Sequence, residues 1–120
     1  MGEKSLDIRR ASAAEAAGAL SLDALAGMGA ELGAERWRVV SDAAQVVANY
    51  LACHPRVEAV RYPGLRSDPD FERAAGRLVG GFGPRVAIRL SGAPAGEWLV
   101  WEADARDARD QVMGLEDFLE

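Results

Sequence analysis

Few side chains of this 120-residue sequence could carry covalent or acid–base chemistry, because the most reactive residue types occur once each. Lys4 is the only lysine, His54 the only histidine and Cys53 the only cysteine. No recognisable motif brings a nucleophile together with a base and an orienting acid around His54. We therefore predict no catalytic residue: His54 ends a helix, and Cys53 is a small buried hydrophobic side chain rather than a reactive thiol.

Three other features invite a binding-site interpretation, and each has a simpler structural one. The run Gly80–Pro84, GGFGP, lacks the lysine and Ser/Thr of a phosphate loop and is predicted to be a helix-to-strand turn. Trp98 and Trp101 could line a ligand pocket, but an apolar strand favours core packing for both. The acidic residues near the C-terminus have no EF-hand spacing and are predicted to lie on a solvated helix face, so we predict no metal site. They are Glu102, Asp104, Asp107, Asp110, Glu116, Asp117 and Glu120.

The composition is that of an ordinary globular domain, with 49% hydrophobic and 28% charged residues. A net charge of −5 argues against nucleic-acid binding, which needs a clustered basic surface. No apolar run approaches the roughly 20 residues that span a bilayer, and the N-terminus lacks the apolar region of a secretory signal. A single cysteine excludes an intrachain disulfide and a cysteine-based metal cage. We therefore expect a cytoplasmic protein.

Two segments are distinguished along the chain: a lead-in at 1–19 and a single α+β domain at 20–120. The lead-in is polar and Ala-rich, and we expect it to be flexible or loosely helical. A capping box from Ser12 to Glu15 marks the start of a short helix within it.

The domain is predicted to contain four helices and three strands. Apolar residues at three- and four-residue steps, together with capping residues, predict helices over Leu20–Met28, over Ala34–Cys53, from near Pro69 with Ser67 or Asp68 as its cap, and from Asp104 to Phe118. Alternating or continuous apolar residues predict strands over Val57–Tyr62, Arg85–Leu90 and Glu97–Ala103.

These elements predict a two-layer α+β sandwich, in which a small, mostly antiparallel sheet carries helices on one face. The short loop between the last two strands favours an antiparallel hairpin. Val57–Tyr62 and Arg85–Leu90 are expected either to be parallel neighbours through a right-handed crossover or to be separated by the third strand. The predicted core comprises Val60, Phe71, Val86, Ile88, Leu99 and Trp101. If Phe71 is fully buried, its replacement by Ala should cost roughly 3–5 kcal/mol.

Residues from about Ser21 to Leu90 resemble part of a known enzyme family. The resemblance rests on His54-Pro55, Val57-Glu58, Tyr62-Pro63-Gly64-Leu65 and Gly81-Phe82-Gly83, in this order and at similar spacing. Together these motifs resemble the C-terminal domain of the pyridoxal-phosphate (PLP) enzymes of cysteine and methionine metabolism, the cystathionine γ-synthase and γ-lyase group. The resemblance implies the small C-terminal domain of fold-type I PLP enzymes.

The same resemblance implies that the catalytic groups belong to a larger domain that is missing from this sequence. That domain holds the phosphate loop, the aspartate beside the pyridine nitrogen, the stacking aromatic residue and the cofactor lysine. Lys4 lies in a polar tail, and we expect it to be solvated, so no cofactor is predicted. Arg89 looks superficially like the family's carboxylate-binding arginine, but its position just after Gly83 aligns it with an earlier strand. We therefore assign Arg89 no site role.

The sequence thus predicts a non-catalytic, stand-alone remnant that acts by self-association or by docking on another protein. One alternative is a subunit of a split lyase or transferase whose large domain is on another chain, and a second is a small-molecule-binding regulatory module. A domain that has lost its large neighbour exposes apolar surface, and a two-fold axis covers such surface most simply. We therefore expect a homodimer in which Trp37, Val40 and Ala44 meet their symmetry mates.

Overall fold

The computed structural model describes residues 6–120, so Lys4 and the prediction made for it lie outside the described residues. The helices and strands follow in the order β1 (Ile8–Ser12), α1 (Ala13–Ala19), α2 (Leu22–Leu32), α3 (Ala34–Ala52), β2 (Val57–Arg61), α4 (Phe71–Arg77), β3 (Arg85–Leu90), β4 (Glu97–Glu102) and α5 (Ala108–Leu119).

The four strands form one antiparallel sheet in the order β1-β4-β3-β2, which confirms the α+β class. The predicted β3–β4 hairpin is present, with Val86 opposite Trp101, and β4 is paired on both sides. Both predicted relations of β2 to β3 are wrong, because the two strands are direct antiparallel neighbours. The seven-residue helix α4 packs beside α2 and does not cross the sheet as a parallel connection would require.

The main core lies between the sheet and the helices α3 and α5. Of the six predicted core residues, Val86, Ile88, Leu99 and Trp101 are buried, whereas Val60 and Phe71 are only half-buried. A smaller apolar cluster covers the opposite face of the sheet, where α1 lies against β3 and β4. It consists of Ala11, Ala16, Ala19, Leu20, Ala87 and Val100.

The structure corrects the expectation of a loosely attached lead-in for residues 8–19. β1 pairs with β4 along five residues, and α1 lies on the sheet. The predicted capping box is present: the Glu15 N–H donates to Ser12 Oγ at 3.0 Å, and the Ser12 N–H donates to Glu15 Oε1 at 2.8 Å. β1 is weakly apolar by itself, so its strand conformation comes from pairing with β4 rather than from local propensity.

Several helix boundaries also differ from the prediction. α2 continues through two glycines to Leu32, and Ser21 caps its first turn. α4 begins at Phe71, two residues after Pro69, and its cap position is Asp70 instead of the predicted Ser67 or Asp68. Among the described residues, no helix is both long and apolar enough to cross a membrane.

The last helix begins three residues later than expected, with Asp107 and not Asp104 as its cap. The Gln111 side chain explains the delay, because its amide bonds the backbone N–H and C=O of Asp104 and so fixes a loop there. Gln111, Leu115 and Leu119 are the buried residues of α5, whereas the Phe118 ring is 45% exposed.

Candidate functional site

Three side chains along one face of α3 hold two loops that carry the sequence motifs. Trp37, Ser41 and Gln45 follow one another at four-residue spacing and therefore share a face of the helix. The loops comprise residues 62–65 and 81–83, and we call them the first and second motif loops.

Each of these side chains bonds a backbone group of a motif loop. Trp37 Nε1 donates to the Gly81 carbonyl at 3.3 Å, and the Gly83 N–H donates to Ser41 Oγ at 3.0 Å. Gln45 Nε2 donates to the Gly64 carbonyl at 3.1 Å. We call this arrangement of three side chains and two loops the loop clasp. The three side chains provide hydrogen-bond partners for loop backbone groups, whose removal from water would otherwise cost free energy.

Tyr62 joins the two motif loops to each other. Its hydroxyl donates to the Gly83 carbonyl at 2.8 Å, and its ring has no exposed surface. Burial raises the pKa of Tyr62 far above its ordinary value, and the nearby Asp42 carboxylate raises this pKa further. The phenol is therefore a neutral donor that holds the loops and not an acid–base group at physiological pH.

The second motif loop can approach α3 so closely because it contains glycine. Gly81 has φ +149, and a Cβ atom at that position would lie 2.3 Å from Ser41 Cβ. Gly83 has φ +100, and its Cβ would lie 3.1 Å from the Trp37 ring. Both positions combine a conformation that L side chains rarely adopt with a close contact, so the Gly-Phe-Gly motif has a structural explanation.

A compact ion cluster fixes the turn between the first motif loop and α4. Buried Asp68 accepts bonds from Arg61 Nε at 2.9 Å, from the Tyr62 N–H at 3.0 Å and from the Asp70 N–H at 2.9 Å. The bond to Asp68 raises the pKa of Arg61. Asp70 also bonds Arg61 and Arg73, and the hydrogen bond from Arg73 lowers the pKa of the Asp70 carboxyl. The charged side chains of this cluster are thus paired with one another, and Arg61 also lines the surface of a small cavity.

The described residues do not fit a PLP cofactor. They contain no lysine, and every buried side-chain polar atom among them has a hydrogen-bond partner. The run Gly80–Pro84 is the predicted helix-to-strand turn, and its Gly83 N–H is already bonded to Ser41. No cradle for a phosphate is formed there.

The histidine and the cysteine lie at the C-terminal end of α3. His54 Nδ1 accepts a hydrogen bond from the Arg56 N–H at 3.0 Å, and the His54 ring packs edge-on against the Tyr50 ring. Both contacts are structural. The prediction of a buried thiol is wrong, because Cys53 is exposed. It is the C-cap residue of α3, just after the last helical residue Ala52.

The remaining candidate side chains have structural partners or lie apart from one another. Trp101 is buried in the core, whereas Trp98 is half-buried beside α1 and lines a cavity of about 100 Å³. Arg89 donates to the carbonyls of Pro94 and Glu97 and so braces the β3–β4 loop. Within residues 6–120, no three His, Cys, Asp or Glu side chains gather in a way that could hold a metal ion.

The predicted dimer face is wrong. The side chains of Trp37, Val40 and Ala44 are buried inside the chain. Gly29 of α2 and the second motif loop lie against the Trp37 ring, and Leu25 of α2 lies near it. The exposed apolar side chains lie elsewhere. Met113 is 60% exposed and, with Phe118, borders a surface groove of about 520 Å³. This groove, which we call the α5 groove, is lined by Leu6, Arg106, Asp110, Gln111, Met113, Gly114, Asp117 and Phe118.

The motif residues were predictable from the sequence, whereas the polar side chains that hold them were not predicted. Ser41 is 2% exposed, although the apolar repeat of α3 gives no reason for a buried hydroxyl. A polar residue within the inward stripe of a helix is a usable signal, because a buried hydroxyl requires a partner. Ser41 and Gln45, four residues apart between Trp37 and the end of α3, give that signal.

Comparison with known proteins agrees with the motif residues. A family profile described as Cys/Met metabolism PLP-dependent enzyme matches residues 29–100, which is more than half of the chain. Cystathionine gamma-synthase of Mycobacterium leprae is 40% identical over 75 residues, or 62% of this chain and 19% of that protein. The enzyme of the same name from Mycobacterium tuberculosis is 38% identical over 81 residues, which cover 67% of this chain and 21% of that protein.

The fold is also similar to solved structures. The crystal structure of cystathionine gamma synthase from Xanthomonas oryzae pv. oryzae in complex with cystathionine superposes with a TM-score of 0.62. The match covers 71% of this chain and 34% of that one at 20% sequence identity, so this similarity shows the fold alone. The chain spans about a fifth of the length of the curated relatives that it matches.

Proposed function

Because the chain belongs to the family of Cys/Met metabolism PLP-dependent enzymes, we propose that it is a non-catalytic small domain that acts by protein interaction in the cytoplasm. The loop clasp is the observation that carries this proposal. The family motifs at Tyr62–Leu65 and Gly81–Gly83 are engaged with α3 through hydrogen bonds inside the domain. Motifs that are engaged in this way support a scaffold role and offer no groups for a substrate or cofactor.

The interaction part of the proposal is supported by the α5 groove. Met113 and Phe118 present apolar surface that a solitary domain would usually bury, and Leu6 adds a third apolar side chain. We propose that the chain forms a homodimer and that its contact includes this groove and not the buried Trp37 face.

The absence of cofactor chemistry is tested by titrating the purified chain with PLP while recording its absorption spectrum. We expect no saturable band characteristic of a lysine adduct, because Lys4 is the only lysine and the described residues form no phosphate cradle. A saturable band that disappears in Lys4→Ala would contradict the non-catalytic role.

Self-association is tested by sedimentation equilibrium at micromolar concentration. We expect a dimer for the parent chain and a shift towards monomer for the double variant Met113→Ser/Phe118→Ser. Val46→Ser is the matched control, because Val46 is 49% exposed on α3 but lies away from the α5 groove. A monomeric parent chain, or equal weakening by the control, would count against the proposed contact.

A second candidate is one subunit of a split PLP enzyme. The retained fold supports it, since the match to the Xanthomonas oryzae enzyme covers most of this chain. A small domain of this kind would need a large domain on another chain to supply lysine and cofactor. Co-expression with a family large domain, followed by purification on a tag carried by this chain, tests the idea. A PLP-containing complex would favour the split enzyme over the non-catalytic role.

A further inference from the structure

The two edges of the sheet differ in how well they are protected against pairing with another strand. Along β2, a register shift between Val57 and Ala59 interrupts the ladder with β3, and bulges of this kind discourage further pairing. β1 pairs with β4 over Ile8–Ser12 without such a shift. An uninterrupted edge strand is a template on which an additional strand can form.

The free backbone groups of β1 follow from its register with β4. The Glu102 N–H donates to the Asp7 carbonyl at 2.9 Å, so Asp7 directs its backbone groups towards β4. Backbone groups alternate in direction along an antiparallel strand, so those of Ile8 and Arg10 face away from the sheet. The Ser12 N–H is bonded to the Glu15 side chain. Ile8 and Arg10 therefore present two N–H and two C=O groups at an edge that no strand of residues 6–120 covers.

Two exposed arginines lie on this edge strand in a protein whose net charge is −5. Arg9 and Arg10 are exposed, and neither has an ion-pair or hydrogen-bond partner in the part of the chain that the structure describes. Arg10 lies opposite Leu99 and Arg9 opposite Val100, so the two arginines project on opposite faces of the sheet. Acidic side chains close to the strand in the chain or its pairing are Asp7, Glu15 and Glu97, and Glu15 accepts a hydrogen bond from the Ser12 N–H.

These arginines disfavour a second copy of this chain as the added strand. In the antiparallel register that uses the free groups of both Ile8 and Arg10, Arg9 would lie directly opposite Arg9 of the copy. Like charges at directly opposite positions destabilise a strand pair, whereas opposite charges stabilise it. The occupant favoured by charge is therefore acidic.

We propose that the β1 edge binds an extended acidic segment of another protein, which adds a fifth strand next to β1. Two consecutive acidic residues of the segment would face Arg9 and Arg10, one on each face of the sheet. Backbone hydrogen bonds to Ile8 and Arg10 would supply the remaining binding free energy. This inference rests on the proposed interaction role and identifies a surface for it, Ile8–Arg10, whose residues are not among those that line the α5 groove.

The test uses short fluorescent peptides with alternating Val and Thr around a central pair, and binding is followed by fluorescence anisotropy. A central Glu-Asp pair is expected to bind at least about tenfold more tightly than a central Lys-Arg pair, and Arg9→Glu/Arg10→Glu is expected to reverse that preference. Arg10→Pro removes the outward N–H while sparing the ladder to β4, so it should lose binding of both peptides. Arg56→Glu, an exposed change near β2, is the control and should leave the preference intact.

Hydrogen exchange shows where the peptide binds. The Ile8 and Arg10 amides should become protected on adding the acidic peptide, while the β2 amides should not. Equal binding of the two peptides, protection at β2, or protection of Ile8 and Arg10 that rises with chain concentration alone would overturn the inference. A chain that dimerises through the α5 groove but ignores the acidic peptide would refute this inference and leave the proposed function standing.

Discussion

The loop clasp and the flanking elements β1, α1 and α5 are built in different ways. The clasp lies within residues 29–100, the part that matches the family, and its contacts are hydrogen bonds from buried side chains to loop backbone. The flanking elements lie outside that range and cover the two faces and one edge of the sheet, largely with small or aliphatic side chains. The family motifs thus fix the internal scaffold, whereas the flanks determine which surfaces remain available to partners.

This difference has an energetic consequence. Removing one partner of a buried hydrogen bond leaves the other unsatisfied, which costs about 1–3 kcal/mol, whereas a surface contact can be replaced by water. Substitutions in the clasp should therefore destabilise the domain more than substitutions in the flanks. Comparing the two regions in urea denaturation, where the midpoint reports stability, tests this difference directly.

The largest loss is expected for Gly81→Ala in the clasp. The new Cβ would lie 2.3 Å from Ser41 Cβ, and φ +149 is strained for alanine. Backbone strain and overpacking together should lower the free energy of unfolding by about 3 kcal/mol or more. Gly92→Ala is the control, since Gly92 also has positive φ but nothing within 4 Å of the new Cβ. It should cost about 1–2 kcal/mol. Equal losses for the two variants would mean that the second motif loop is not held against α3.

A smaller loss is expected for Phe71→Ala, where α4 meets the clasp. The Phe71 ring stacks on Phe82 of the second motif loop with 5.6 Å between centroids, but it is only half-buried. We expect a loss of about 1–2 kcal/mol, below the roughly 3–5 kcal/mol of a fully buried phenylalanine. Trp101→Ala, in the buried centre of the sheet, is the reference and should reach the higher range. A Phe71→Ala loss as large as that of Trp101→Ala would place α4 deeper in the core than the structure does.

The sequence predicted elements whose signal is local and missed those that depend on distant partners. α3 was predictable within one residue of its end because its apolar stripe runs over five turns, and β3 and β4 were predictable from their apolar residues. β1 was missed because IRRAS is polar and becomes a strand only beside β4, some 90 positions further along the chain. The inward position of Gln111 was missed for a different reason: its partners are backbone groups of the loop just before the helix, and an apolar repeat does not register a buried amide.

A loss of about 1 kcal/mol is expected for Ser12→Ala in the flanks. The substitution removes Ser12 Oγ as acceptor for the Glu15 N–H and so breaks the capping box of α1. Because α1 covers Ala87 and Val100, fraying of the helix should also speed hydrogen exchange of the neighbouring β1 amides. Ser91→Ala, in an exposed turn, should change neither quantity measurably. A loss well above 2 kcal/mol would show that the flank is as tightly integrated as the clasp.

The smallest effect on stability is expected from Tyr50, whose hydroxyl donates a hydrogen bond to Glu116 and so links α3 to α5. This effect should be detectable only in alkaline solution. Burial, and then the Glu116 bond and charge, raise the pKa of Tyr50 from 10.0 to about 12. Because the pKa in the folded state lies above that of the unfolded chain, the stabilising contribution is complete below pH 10 and is lost as pH rises from about 10 to 12.

The chain has only two tyrosines, and the pKa of Tyr62 is raised as well, so tyrosinate absorbance should show no step near pH 10 while the chain is folded. Tyr50→Phe should remove the step near pH 12 and flatten the decline in stability over that range. Glu116→Gln should lower the pKa of Tyr50 without returning it to 10, because burial is the larger cause. A step near pH 10 in the folded chain would show that the contact between α3 and α5 is open to water, and that this flank is more loosely attached than the structure indicates.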